Sequence, residues 1–343
     1  MKWRFKRRKP ALEVPRASDP EMTGPQVNPN NPPQAGDQAP FPDGIKLLYN
    51  GENATVDICF IHGLAGNRNS TWTAKGQEAP WPAILLPSEI PNARILTYGY
   101  NAYIVRKSAA ISNNRLIDHA GNFLTDLTNY RQRFNAASRP LIFVAHSMGG
   151  LVCKKALLLS RNHPEPHLRG IFDSLTGIIF MGSPHQGSWV ADWADTPVSA
   201  LGFLRATNSL LLEALGTDNQ FLEGIQHDFL SMLREQQSQL DRKIQITCFF
   251  EELPTYGNKT VVSQTSATLE GYTSLSIHAN HRDMVKFATA EDTGFQRVLG
   301  ELRRWQETSG KNQRLVQKRT QAELFSRPKV FKSVSKLSTI GKH

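Results

Sequence analysis

Cysteine is scarce. The chain holds three, Cys59, Cys153 and Cys248, with no paired spacing. An odd, scattered set argues against a disulfide framework and against a cysteine-based zinc site. Each lies in an apolar segment, where a buried, reduced thiol belongs. Long apolar runs are missing too: none approaches the roughly 20 residues that a membrane-spanning helix needs. The basic N-terminus is not followed by the apolar stretch of a secretory signal. Its charges admit a mitochondrial presequence, but Pro10, Glu13, Asp19 and Glu21 interrupt any amphipathic helix there, so the sequence leaves the compartment open within the cell. There is no internal repeat. There is also no recognition-helix signature, no zinc-finger spacing and no basic–aromatic interleaving, so nucleic acid is not an expected partner.

The 343 residues suffice for one large α/β domain with tails, and the apolar and charged fractions, 39% and 20%, are those of an ordinary globular protein. The net charge of +10 is unevenly spread. Six basic residues fall in the first nine, MKWRFKRRK, and the stretch from Leu302 onward carries eleven Lys/Arg against two Asp/Glu. The middle is therefore mildly acidic. Basic ends are most often solvated, and attraction to an anionic membrane surface is the sharper alternative. Residues 1–42, rich in Pro and Asn, are expected to be disordered, because they have too little apolar surface to offset the entropy of ordering. Residues 43–308 are expected to form the folded domain. Residues 309–343 are expected to be a basic tail, with at most a short helix near Leu315–Phe325.

Between the tails, strands and helices alternate. Strands are predicted at 45–50, 55–63, 93–100, 139–147, 175–183, 243–252 and 273–281, several of them continuously apolar. Helices are predicted at 116–134, 149–161 and 293–306, with residues 190–240 mostly helical. Leu116, Ala120, Phe123, Leu124, Leu127, Tyr130 and Phe134 share one helical face. Fully apolar strands alternating with helices imply a mainly parallel sheet flanked by helices on both faces.

Chemistry concentrates at FVAHSMGG, where Ala145, Ser147 and Gly149 give the pattern small–x–Ser–x–Gly between a buried strand and a helix. In that context the tight turn strains the serine, exposes its hydroxyl at the sheet's end and needs small residues two places away on either side. Two further features turn a weak five-residue pattern into an α/β-hydrolase fold. The earlier strand ends in His62-Gly63-Leu64-Ala65-Gly66, a loop that in this fold passes beside the nucleophile. The backbone N–H groups of Leu64 and Met148 are thus candidates for an oxyanion hole, and His62 is read as structural. The order nucleophile, acid, histidine then runs along the chain. Strand 243–252 ends in Glu251-Glu252, of which Glu251 is favoured; only one of two adjacent strand residues faces the site. His281, in the loop after the last strand, is favoured over His278. Asp192 and Asp195 are less favoured acids. A serine hydroxyl needs such a base at neutral pH, and the acid fixes the imidazole's tautomer.

Residues 56–66, 72–82 with Trp72 and Trp81-Pro82, 94–101, 140–159, 178–187 and 278–287 together resemble the serine-active-site-containing proteins. They also resemble related fungal hydrolase domains that precede nucleotide-binding (NACHT-type), ankyrin or WD-repeat regions. The wider group includes lipase-like serine esterases such as the inositol deacylases of GPI anchors. The resemblance covers roughly residues 45–305, with HSMGGLVCKKAL and GSPHQG its most specific pieces. Position by position it implies Ser147 as nucleophile, His281 as base and Glu251 as acid, with no metal or organic cofactor. It implies hydrolysis or transfer of carboxylic esters, with lipids among the substrates, and work at mitochondrial or endoplasmic-reticulum membranes. Ala145 in place of the usual Gly, and residues 260–266 (TVVSQTS), depart from the pattern. His185 is read as shaping the pocket. Trp189, Trp193, Leu201, Phe203 and Leu204 are lid candidates. The competing reading is a catalytically silent hydrolase-fold domain used for protein interaction or signalling.

Overall fold

The computed structural model describes residues 42–63, 66–101, 109–186, 219–240, 242–255 and 258–326. Its centre is a seven-stranded sheet of β1 (Gly44–Asn50), β2 (Val56–Ile61), β3 (Ala93–Gly99), β4 (Leu141–His146), β5 (Leu175–Met181), β6 (Gln245–Glu251) and β7 (Thr273–Ile277). The order across the sheet is β1-β3-β2-β4-β5-β6-β7. β1 pairs antiparallel with β3; every other pairing is parallel. The helices are α1 (Trp81–Ile84), α2 (Leu86–Glu89), α3 (Ala109–Arg133), α4 (Gly149–Arg161), α5 (Pro166–Ser174), α6 (Asn219–Leu240), α7 (Gln264–Ala267) and α8 (Thr293–Ser326). This is the α/β-hydrolase architecture.

The two-residue period of the strands sorts the core into two layers. Cys59 and Ile61 of β2, and Leu141, Phe143 and Ala145 of β4, face a layer filled from α3, α4, α5 and α6. Ile58 and Phe60, with Ile142 and Val144, face the opposite layer, filled from α1, α2 and α8. Trp72 and Trp81 both pack on Phe60, with ring centroids 5.0 and 5.3 Å away, and the Trp81 indole N–H donates to the carbonyl of Val285 at 2.8 Å. Burial on both faces explains why β2, β3 and β4 lack polar alternation. All three cysteines are buried free thiols.

One buried feature breaks the apolar pattern. Asp57, near the start of β2, is fully buried and faces three guanidinium groups. Arg94 on β3 binds it through two hydrogen bonds of 2.9 and 2.6 Å. Arg139 lies at 2.9 Å and Arg131 of α3 at 3.3 Å. Arg131 also donates to the carbonyls of Ala137 and Arg139, which ties down the turn that leads into β4. Burial lowers the pKa of Arg131 to about 10, even though Asp57 opposes the shift.

The closing helix differs from the sequence expectation. Its packed part runs from Phe295 to Ser309, but the helix continues to Ser326 instead of ending at Gln306. Among the described residues no helix is long and apolar enough to cross a membrane.

Candidate active site

β4 ends at His146, and the chain turns at Ser147 straight into α4. Ser147 has φ +53°, a left-handed conformation rare outside glycine. Its backbone N–H donates to the Met181 carbonyl at 3.0 Å, which locks the turn to the end of β5. Gly149 is required here by close approach: a Cβ on it would fall 2.5 and 2.7 Å from the carbonyl oxygens of His62 and Ile61. Ala145, the departure from the usual glycine, is buried between β2 and β5, so its methyl is accommodated. Such strain persists only where the surroundings enforce it, and it is most often found at functional sites.

The loop after β2 does come beside the serine. A Cβ on Gly63 would lie 2.7 Å from Ser147 Cβ and 3.2 Å from its Oγ. Leu64, the expected oxyanion donor in this loop, lies outside the described residues, while Met148 caps α4 directly after the serine. His62 is built into the framework. Its Nδ1 donates to the Gly63 carbonyl at 2.7 Å, and its Nε2 accepts from the backbone N–H of Tyr100 at 3.3 Å. The ring stacks on Tyr100 at 4.4 Å. Burial lowers its pKa to about 4, so it is neutral at physiological pH.

The strand alternation separates the two glutamates. Glu251 is 4% exposed, and one of its oxygens accepts from the backbone N–H of Val262 at 2.7 Å. The other oxygen lies 3.3 Å from Nδ1 of His281, which is itself 1% exposed. This is an ion-pair separation without the alignment of a hydrogen bond. Glu252 points the other way and pairs at 2.7 Å with His278, whose side chain is 78% exposed. Hydrogen bonds from Ser276 and His278 lower the pKa of Glu252. The structure thus brings Glu251 to His281 inside the protein and pairs Glu252 with His278 at the surface.

Two contacts bring His281 to the turn at Ser147. A Cβ on Gly182, the residue after Met181, would lie 2.9 Å from both Cε1 and Nδ1 of the His281 ring. His146, adjacent to Ser147, reaches the carbonyl of His281 with Nε2 at 3.0 Å, and the two rings are 4.9 Å apart. Burial, and then the charge of His281, hold His146 well below the ordinary histidine range. The Nε2 of His281 is buried and has no hydrogen-bond partner among the described residues. Asp192, Asp195 and the lid candidates Trp189, Trp193, Leu201, Phe203 and Leu204 lie outside the described residues.

Sequence reasoning missed His146, whose position next to the serine was the available signal. It also missed a buried polar cluster behind the site. Lys154 of α4, fully buried, lies 2.6 Å from His185 Nδ1 and 2.6 Å from Gln226 Oε1. Desolvation lowers its pKa to about 7 from 10.5. Between those two values the unfolded chain binds a proton that the folded chain does not, so this group makes stability rise with pH from about 7 upward. Urea midpoints at pH 7 and 8.5 should therefore show a rise in the wild type, contributing up to about 1.4 kcal/mol per pH unit. Lys154→Met should remove that rise; an unchanged slope would show that Lys154 titrates at its ordinary value.

Among the described residues no group of His, Cys, Asp and Glu is arranged to hold a metal ion. No family model matches the chain. Among curated proteins it is similar to Protein SERAC1 of human, 28% identical over 297 residues, and to Protein SERAC1 of mouse, 27% identical over 291 residues. Each match covers 76% of this chain and 41% of the relative. Solved structures with a similar fold include a carboxylesterase of the thaumarchaeon Nitrososphaera gargenis, 12% identical, covering 78% of this chain and 100% of that one, with a TM-score of 0.44. Another is a soluble variant of monoglyceride lipase from Saccharomyces cerevisiae, also 12% identical, covering 78% and 91%, with a TM-score of 0.38. The chain thus spans about two fifths of the length of the curated relatives that it resembles.

Proposed function

We propose that the protein is a serine hydrolase of carboxylic esters working through an acyl-enzyme, with Ser147 as nucleophile, His281 as general base and Glu251 as the acid that orients it. The observation that carries this reading is a strained serine, φ +53°, at a strand-to-helix turn whose preceding residue, His146, reaches the carbonyl of His281, the histidine of a buried histidine–carboxylate pair. Neither half is what a merely structural turn requires. A buried carboxylate beside a buried imidazole costs solvation free energy, and that cost is compensated when the pair must stabilise an imidazolium during reaction.

The steps follow from the groups. His281 Nε2 takes the proton of Ser147 as Oγ attacks the ester carbonyl, and Glu251 holds the Nδ1 side. The oxyanion is held by backbone N–H groups of Leu64 and Met148, aided by the N-terminus of α4. The imidazolium returns its proton to the leaving alcohol. Water, or a second alcohol in a transferase, then releases the acyl group by the same route. The unpartnered Nε2 is the nitrogen this scheme needs open, and catalytic hydrogen bonds commonly tighten only once substrate is bound. Lipid esters are the proposed substrates, and the basic ends are proposed to hold the enzyme at an anionic membrane surface.

The test is covalent labelling by a fluorophosphonate, read by intact mass on wild type and Ser147→Ala. One adduct on the wild type and none on the variant is expected. A folded wild type that stays unlabelled would reject the hydrolase and favour a silent domain used for interaction.

A further inference from the structure

The two most specific sequence motifs, around Ser147 and at Gly182–Gln186, are joined by a contact that the proposed chemistry does not use. Lys154 lies seven residues beyond Ser147 on α4, and its ammonium touches His185 and Gln226 between the rings of Phe180 and Phe229, 5.4 and 5.6 Å from their centroids. It makes no ion pair among the described residues. His185 is equally enclosed. Its Nε2 lies 3.6 Å from the sulfur of Cys248 on β6, and its backbone N–H donates to the Ser266 carbonyl at 2.7 Å. Burying an amine without a carboxylate costs stability, and an apolar side chain of similar size would fill this space at lower cost. The cluster therefore calls for a role other than stability.

Its position supplies one. His185 sits three residues after Gly182, and Gly182 forms the wall on which the His281 imidazole rests, with Met284 on the same side. Ser183, between them, donates to the carbonyl of Ala145 at 3.3 Å, two residues before the nucleophile. The turn is thereby held at its start by β4 and at its end by Lys154. We propose that Lys154 and His185 are positioning residues for His281: their contact fixes the Gly182–Gln186 turn so that the imidazole is held in one orientation between Glu251 and Ser147. The inference rests on the hydrolase reading for its catalytic meaning but not for its geometry.

The test reads His281 directly. Side-chain ¹⁵N spectra of histidine-labelled protein are recorded across pH for wild type, His185→Phe, His185→Asn and Lys154→Met, with the His281 signals identified by their loss in His281→Gln. His185→Phe removes the acceptor that faces Lys154; His185→Asn keeps one. His185→Phe and Lys154→Met are expected to displace or split the His281 ring signals, while His185→Asn leaves them at their wild-type positions. Fluorophosphonate labelling should slow by about 10- to 100-fold in the first two and by less than threefold in the third. If His185→Phe does not fold, Lys154→Met, which breaks the same contact from the α4 side, decides. Unchanged His281 signals in a folded His185→Phe or Lys154→Met would overturn the proposal. A wild type that resists labelling would instead reject the hydrolase reading, and the spectra would still decide whether the turn orients His281.

Discussion

Ser147→Ala and His281→Ala are each expected to lower kcat for a short-chain p-nitrophenyl ester by about 10⁴- to 10⁶-fold, and the double variant should be hardly slower than either. In the proposed triad nucleophile and base act as one unit, so removing the second member of a broken pair costs little more. The acid gives the sharper comparison. Glu251→Gln should cost about 10⁴-fold. Its Oε1 is anchored by the Val262 N–H, so the glutamine carbonyl is held there and its amide nitrogen turned toward His281 Nδ1. An amide donating to Nδ1 forces the proton onto Nε2, the nitrogen that must accept one from Ser147. Glu252→Gln should leave kcat within about twofold, because that carboxylate pairs with solvent-exposed His278 and faces away from the site. Equal losses in the two glutamine variants would mean that the acid has been misassigned.

The largest effect on stability is expected from Asp57→Asn, about 3–5 kcal/mol by urea unfolding, with a fall in Tm of roughly 10 °C. The wild-type carboxylate faces Arg94, Arg131 and Arg139 in a site where it and two of its partners are almost wholly buried. Asparagine keeps the shape and removes the one negative charge, leaving three guanidinium groups to repel one another without water. Asp57 lies at the start of β2, about four residues or ~13 Å along the strand from the end beside Ser147. The kcat per folded molecule should therefore be unchanged. A fall of less than about 1 kcal/mol would show that the arginines are already screened by water or can swing out.

The sheet was legible because its strands carry a strong signal. β2 is apolar apart from Asp57, and β4 is apolar up to His146; each leads into residues that make sense at a strand-to-loop turn. The elbow at Ser147 was legible from residue size alone, and the geometry gives the reason: the space at Gly149 is filled by carbonyls at the end of β2. The choice between neighbouring glutamates was legible in kind, since alternation says that only one faces inward, but not in phase. Phase depends on where β6 begins to pair with β5, and the sequence holds no marker for that. The Asp57 cluster and the Lys154–His185–Gln226 contact were not legible. Each joins residues 31 to 82 positions apart through side chains whose pairing no local sequence pattern marks. The helical continuation past Gln306 was missed because apolar periodicity fades there, and that fading does not end a helix when no proline intervenes before Pro328; Gly310, inside the helix, is tolerated.

The order of strands across the sheet separates the chemical groups by mechanical security. Ser147 hangs from β4, which is flanked on both sides by parallel partners. Glu251 ends β6, and His281 follows β7, a five-residue strand with a neighbour on one side only. Fraying at that margin is the cheapest opening available to such a sheet, and it would carry His281 away from Glu251 while Ser147 stays seated. On the proposed mechanism, heat inactivation then runs ahead of global melting: a warmed molecule keeps Ser147 and most of its sheet in place after the His281–Glu251 pairing is lost.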